Sequence, residues 1–245
     1  MIVPQTRAEL LKIRSTRTAL GLAIGMVAII LLFVLLTALL SSISDLGHKE
    51  QQRSLFSIGS FAGIFAALAG IMLVTGEFRF GTIRPTFLFT PRRSVVLTAK
   101  VIASFAAGLV LAIVGEVLSV GVGSLILNER GISLVLGHHD YELLTLGTVV
   151  GTAIWGGIGV GVGMIVRNQV GAIIGILAWG FVVENLLFAL VPSLGRLTPG
   201  QAQNGFIGLT DAHLLSPAAG GAVLLAWMVV LCVAGGAMAA RSDVS

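Results

Sequence analysis

Six stretches of this sequence are each long and apolar enough to cross a bilayer, and this constrains the fold more than any other feature. A helix needs about 20 apolar residues to traverse a ~30 Å hydrocarbon core. Residues 19–40, 55–75, 101–127, 143–166, 170–191 and 218–240 meet that length. Transmembrane barrel strands run to about ten residues with strict alternation, and these runs are longer and uniformly apolar. Only 11% of the residues are charged and the mean hydropathy is +1.02, whereas soluble domains carry about 25% charged residues. The expectation is an all-α polytopic membrane protein, residues 1–245 forming a single transmembrane domain. The first run begins too late and runs too long for a cleaved secretory signal, so it reads as a permanent span.

The basic residues are distributed by side. With six spans, Arg7, Lys12, Arg14, Arg17, Arg79, Arg84, Arg92, Arg93, Lys100, Arg167 and Arg241 fall on one face of the membrane. Lys49, Arg53, Arg130 and Arg196 fall on the other. Eleven against four predicts that the richer side, with both termini, is cytoplasmic. A sequence pI near 10.0 therefore reports topology and not nucleic-acid binding. The single Cys232 excludes an intramolecular disulfide.

The densest positive charge lies in residues 76–100, GEFRFGTIRPTFLFTPRRSVVLTAK, where Glu77 is the only acid. Thr82 before Ile83-Arg84-Pro85 and Thr90 before Pro91-Arg92-Arg93 have the character of helix N-caps followed by first-turn proline. A short helix over 83–89 is expected, then a longer one running from Pro91 into the third span. Phe87, Leu88 and Phe89 would give the short helix an apolar surface bordered by arginines. Such patches mark contact sites, here for headgroups or for a protein. Upstream, Ala8, Leu10, Leu11, Ile13 and Leu20 alternate with Arg7, Glu9, Lys12, Arg14 and Arg17. This pattern fits either an amphipathic helix lying in the headgroups among membrane lipids or a basic flank that only sets topology.

The sequence from Glu77 through Phe78, Arg79, Gly81, Thr82, Ile83 and Arg84, followed by Pro91-Arg92-Arg93 and Lys100, resembles the first cytoplasmic loop of bacterial ABC transporter permeases of the type-2 exporter superfamily. The segment from Ala8 to Ser15 resembles their N-terminal amphipathic segment. Leu215-Ser216-Pro217 and Arg241-Ser242-Asp243-Val244 resemble the flanks of their last span. The resemblance implies that the 83–89 helix, with Pro85, Phe87, Leu88 and Phe89, is a coupling helix seated on a separate ATPase subunit. It implies an interfacial helix at the N-terminus and two permeases working with two ATPases. ATP and Mg would be bound by that partner, with no cofactor on this chain. The absence of a G-x-x-x-x-G-K-[ST] phosphate loop from the sequence agrees with that division.

Two acids interrupt the spans. Glu116 lies sixteen residues beyond Lys100, and Glu184, beside Asn185, sixteen beyond Asn168. At 1.5 Å per residue both would stand ~24 Å from the cytoplasmic anchors. A carboxylate at a helix centre costs about 2.5–3.5 kcal/mol. Glu116, Glu184 and Asn185 are therefore candidates for a translocation path, or alternatively structural groups bonded to neighbouring helices. The first reading also supports an ATPase-independent secondary transporter as the alternative function. His138-His139-Asp140 with Glu142 reads as a solvated loop and not a metal site, and His213 with Asp211 likewise. Ser124 has no evident catalytic histidine. Gly156, Gly157, Gly159, Gly161 and Gly163, with Gly171 and Gly175 beyond, point to close helix packing, either within one chain or at a subunit seam. Residues 192–217 fit either short re-entrant helices or a surface loop.

Overall fold

In a computed structural model, residues 2–82 and 93–241 are described, without the side chains of Arg93, Ala240 and Arg241. Among the described residues there is no strand. An N-terminal helix α1 (Ile2–Ser15) precedes the six helices that are long and apolar enough to cross a membrane. These are α2 (Arg17–Leu40), α3 (Lys49–Arg79), α4 (Ser94–Glu129), α5 (His138–Val166) and α6 (Gln169–Leu190), then, after the short α7 (Pro199–Phe206), α8 (Pro217–Ala239). The protein is thus an all-α, multi-pass membrane protein, as the apolar runs predict.

Helix α5 is the centre of the bundle. Its largest interfaces are with α3, α4 and α8, and 72% of its most apolar window lies inside the protein against 6% for α6. The glycines make this possible. A Cβ on Gly159 would lie 2.0 Å from the Ala67 carbonyl oxygen, and one on Gly70 2.3 Å from that of Gly156. Gly157 and Gly161 face Met228 and Leu231 of α8 in the same way. In lipid, where water does not drive helices together, such close backbone approach is a main source of packing energy. For these glycines, packing within one chain is the alternative realised.

Two spans start before their apolar cores. Helix α3 begins at Lys49 because Gln52 and Arg53 are buried with partners: Gln52 Nε2 donates to the carbonyls of Leu46 (3.0 Å) and Ser133 (2.8 Å). Helix α5 begins at His138, so the histidines expected in a loop form its first turn. There Asp140 accepts from Gly137 N (3.0 Å) and pairs with Lys49 (2.7 Å) and Arg53 (3.4 Å). The 192–217 segment contains α7 and a single turn at Pro192–Gly195, with Ile207 fully buried against Gly147. Helices α4 and α6 each contain a π-helical stretch, Val117–Val122 and Trp179–Val183.

The two sets of basic residues separated by the sequence lie at opposite ends. Lys12, Arg79, Lys100 and Arg167 gather at one end, around the C-termini of α3, α5 and α8. Lys49, Arg53 and Arg130 lie at the other, where the Arg130 guanidinium donates to the carbonyls of Ala38 and Ser41 and closes the C-terminus of α2.

Candidate functional site: a buried charge cluster beside the basic loop

Helix α3 ends in a Schellman arrangement. Gly81 has φ +68°, Thr82 N donates to the Glu77 carbonyl (3.0 Å) and Gly81 N to that of Phe78 (3.4 Å). Glycine tolerates the left-handed backbone this cap requires. The cap fixes the side chains of the last turn. Phe78 packs with Leu97 and Val101 against Val74, Val160, Met164 and Ala239, and the Arg167 guanidinium lies 5.8 Å from its ring centroid. Arg79 donates to Gln169 Oε1 (3.5 Å) at the start of α6. Arg167 itself caps α5 with φ 55° and donates to the Met238 carbonyl (2.9 Å), which ties the ends of α5 and α8 together.

Glu77 turns inward, and three residues from outside its helix meet it or its partners. Lys12 Nζ of α1 lies 2.6 Å from Glu77 Oε1, and Lys100 Nζ of α4 lies 2.8 Å from the same oxygen. Glu9 of α1 completes the set, with Oε1 2.9 Å from Lys12 and Oε2 2.9 Å from Lys100. Lys100 also donates to the Leu73 carbonyl (3.2 Å). Glu9 is fully buried, Lys100 is 1% exposed and Glu77 5%. Lys12 is itself exposed, and with it the two acids are matched by two bases. Burial pulls the Lys12 ammonium down, but its bonds to Glu77 and Glu9 outweigh that and hold it above the usual lysine value.

The sequence pointed to Glu77, placed Lys100 in the loop resemblance and Lys12 in the amphipathic segment, and gave no sign that they meet. Glu9, the sole acid among the bases of α1, was the available signal. The amphipathic reading of α1 also changes in detail. Leu11 is 64% exposed, and the one buried residue of the helix is Glu9. Helix α1 meets the bundle through Glu9 and Lys12, with Leu10 and Ile13 half-buried beside them. Ile83, Arg84, Pro85, Phe87, Leu88, Phe89 and Arg92, and the side chain of Arg93, lie outside the described residues, and with them the expected short helix.

Glu116 and Glu184 have separate partners. Glu116 Oε1 accepts from Thr145 (3.1 Å) of α5, and Gly59 leaves the space beside Oε2. Glu184 Oε2 accepts from Gly200 N (2.7 Å) and the Thr198 hydroxyl (3.2 Å). It thus caps the N-terminus of α7, where a carboxylate satisfies free N–H groups and the helix dipole. Asn185 Nδ2 donates to the carbonyls of Gly180 (3.2 Å) and Phe181 (3.1 Å), which the π stretch leaves out of regular pairing. The two acids share none of these contacts, and Glu116 Oε2 and Glu184 Oε1 are buried without a hydrogen-bond partner among the described residues. Among the described residues no group of three His, Cys, Asp or Glu is placed to hold a metal ion. No family model matches the chain, and no curated protein matches it.

Proposed function

We propose that this chain is the membrane-spanning permease subunit of an ATP-driven exporter in the inner membrane of a bacterial cell. Both termini and the loop between α3 and α4 face the cytosol. A separate ATPase subunit, working as a pair, binds ATP and Mg and hydrolyses the nucleotide. A second permease subunit completes the pathway.

The observation that carries this reading is the Glu9–Lys12–Glu77–Lys100 cluster. The basic loop joins α3 to α4, and the cluster binds the last turn of α3, the first turns of α4 and the N-terminal helix into one unit. A partner pressing on that loop would move all three together, because separating them would strand buried charges. The ATPase-independent transporter receives less support, since Glu184 is committed to capping α7 and Asn185 to the π stretch.

The test is co-purification of an ATPase with the tagged chain from its native membrane in mild detergent. Burying a Phe-sized side chain contributes roughly 1.5–3 kcal/mol, and rim charges mainly tune association. Phe87→Ala with Phe89→Ala is therefore expected to weaken ATPase association more than Arg84→Ala. Equal association and coupled hydrolysis in the double variant would remove those side chains from the docking surface. Failure of any ATPase to accompany the parent chain would sink the exporter reading.

A further inference from the structure

A half-open cavity of about 410 Å³ lies between α1, the first turns of α2 and the last turns of α3. That volume falls within the usual range of small-molecule sites. Leu22, Ala69, Met72 and Gly76 form apolar walls, and Lys12, Thr16 and Arg79 stand at its polar side.

Gly76 is informative because no packing contact among the described residues requires it. Gly63 and Gly70 of the same helix have Trp155 and the Gly156 carbonyl pressed against them, whereas a Cβ on Gly76 would meet nothing within 4 Å. A glycine inside a helix loses stability relative to alanine, so this position keeps space free beside α3. The surrounding charge is unbalanced. Glu9 and one oxygen of the lining residue Glu77 are taken by Lys12 and Lys100, the other Glu77 oxygen being buried, and no acid among the described residues pairs with Arg14, Arg17 or Arg79. Arg79 lines the cavity, and Arg14 and Arg17 adjoin its lining residues Ile13, Thr16 and Thr18.

We propose that the cavity holds one anionic phospholipid of the adjoining leaflet. An acyl chain lies over Gly76, Met72 and Ala69, and the phosphate is held at Arg79. The apolar wall beneath a cationic rim matches that amphiphile, and a rim arginine favours an anionic headgroup. This site does not depend on the exporter reading.

The experiment titrates the purified, delipidated chain with phosphatidylglycerol or phosphatidylcholine and counts retained lipids by native mass spectrometry. The parent is expected to retain one phosphatidylglycerol in preference to phosphatidylcholine. Gly76→Leu, whose Cβ would meet nothing within 4 Å among the described residues, is expected to abolish that retention while the melting temperature stays the same or rises. Ala69→Phe serves as a second plug should Gly76→Leu not fold. Arg79→Gln is expected to lower the preference for phosphatidylglycerol by about fivefold. Unchanged retention in a folded plug variant overturns the proposal, as does equal retention of phosphatidylcholine by the parent. Displacement of the lipid by millimolar glycerol phosphate would assign the site to a soluble phosphate and equally overturn it.

Discussion

Lys100 is the residue on which the cluster end of the bundle turns, because among the described residues it alone touches both buried acids and a main-chain carbonyl. Buried ion pairs add little net stability when formed, but removing one partner costs about 3–5 kcal/mol because the other charge is left unpaired. Lys100→Met should therefore destabilise the protein by about that amount, and Glu9→Gln in the same chain should restore part of the loss by removing one stranded charge. Thermal unfolding in detergent measures both. A single variant that melts like the parent would mean the cluster is not formed. The pH dependence has a definite sign. The folded Lys12 value is raised above 10.5, so its contribution is fully present at neutral pH and is lost only as pH rises through the folded value. The difference in melting temperature between the parent and Lys12→Met should thus be flat from roughly pH 6 to 9 and shrink in stronger alkali.

At the scale of elements, α5 is wedged between α3, α4 and α8 by glycines, while α6 stands almost free. Gly159→Val should force α3 and α5 apart, since the new Cβ would lie 2.0 Å from the Ala67 carbonyl oxygen, which no rotamer change relieves. Overpacking of this kind costs about 1–3 kcal/mol. Gly175→Ala in α6 meets nothing within 4 Å and should gain up to about 1 kcal/mol of helix propensity. The ordering of the two melting temperatures checks the assignment, and a reversed order would place the seam elsewhere. The spans themselves were legible in sequence, because a run of twenty apolar residues has few other uses. Their ends were less so. Lys49, Gln52 and Arg53 depress hydropathy, yet fold into α3 through Ser133 and Asp140, residues more than eighty positions away. The Glu9–Lys100 pair was hidden for the same reason, since a contact across 91 positions leaves no local pattern. Glu116 and Glu184 were visible as interior acids, but Thr145 and Gly200 as their partners were not.

For the whole molecule, the decisive question is which end faces the cytosol. The cluster end carries Arg7, Arg14, Arg17 and Arg79 without acidic partners among the described residues, and Arg167 beside them. At the far end, Lys49 and Arg53 are paired with Asp140, and Arg130 is spent on main-chain carbonyls. What bears on orientation is the count of Lys and Arg on each side, eleven against four, and not the net charge left after pairing. Retention of basic segments on the cytoplasmic side then predicts the orientation, with α1 inside and the start of α5 outside. In a chain carrying Cys232→Ser, His138→Cys and Arg196→Cys should react with a membrane-impermeant maleimide added to sealed cells. The exposed imidazole of His138 makes its position a sensitive reporter, since 92% of that side chain is open. Arg14→Cys and Arg92→Cys should react only after the membrane is permeabilised. If the pattern is reversed, the chain is inverted, and a cytosolic ATPase could no longer meet the loop between α3 and α4. Labelling of Arg14→Cys and His138→Cys from the same side would instead require an even number of crossings between α1 and α5, so that one of the helices α2, α3 and α4 fails to span. Comparing all four positions in one preparation thus tests the orientation and the span count together.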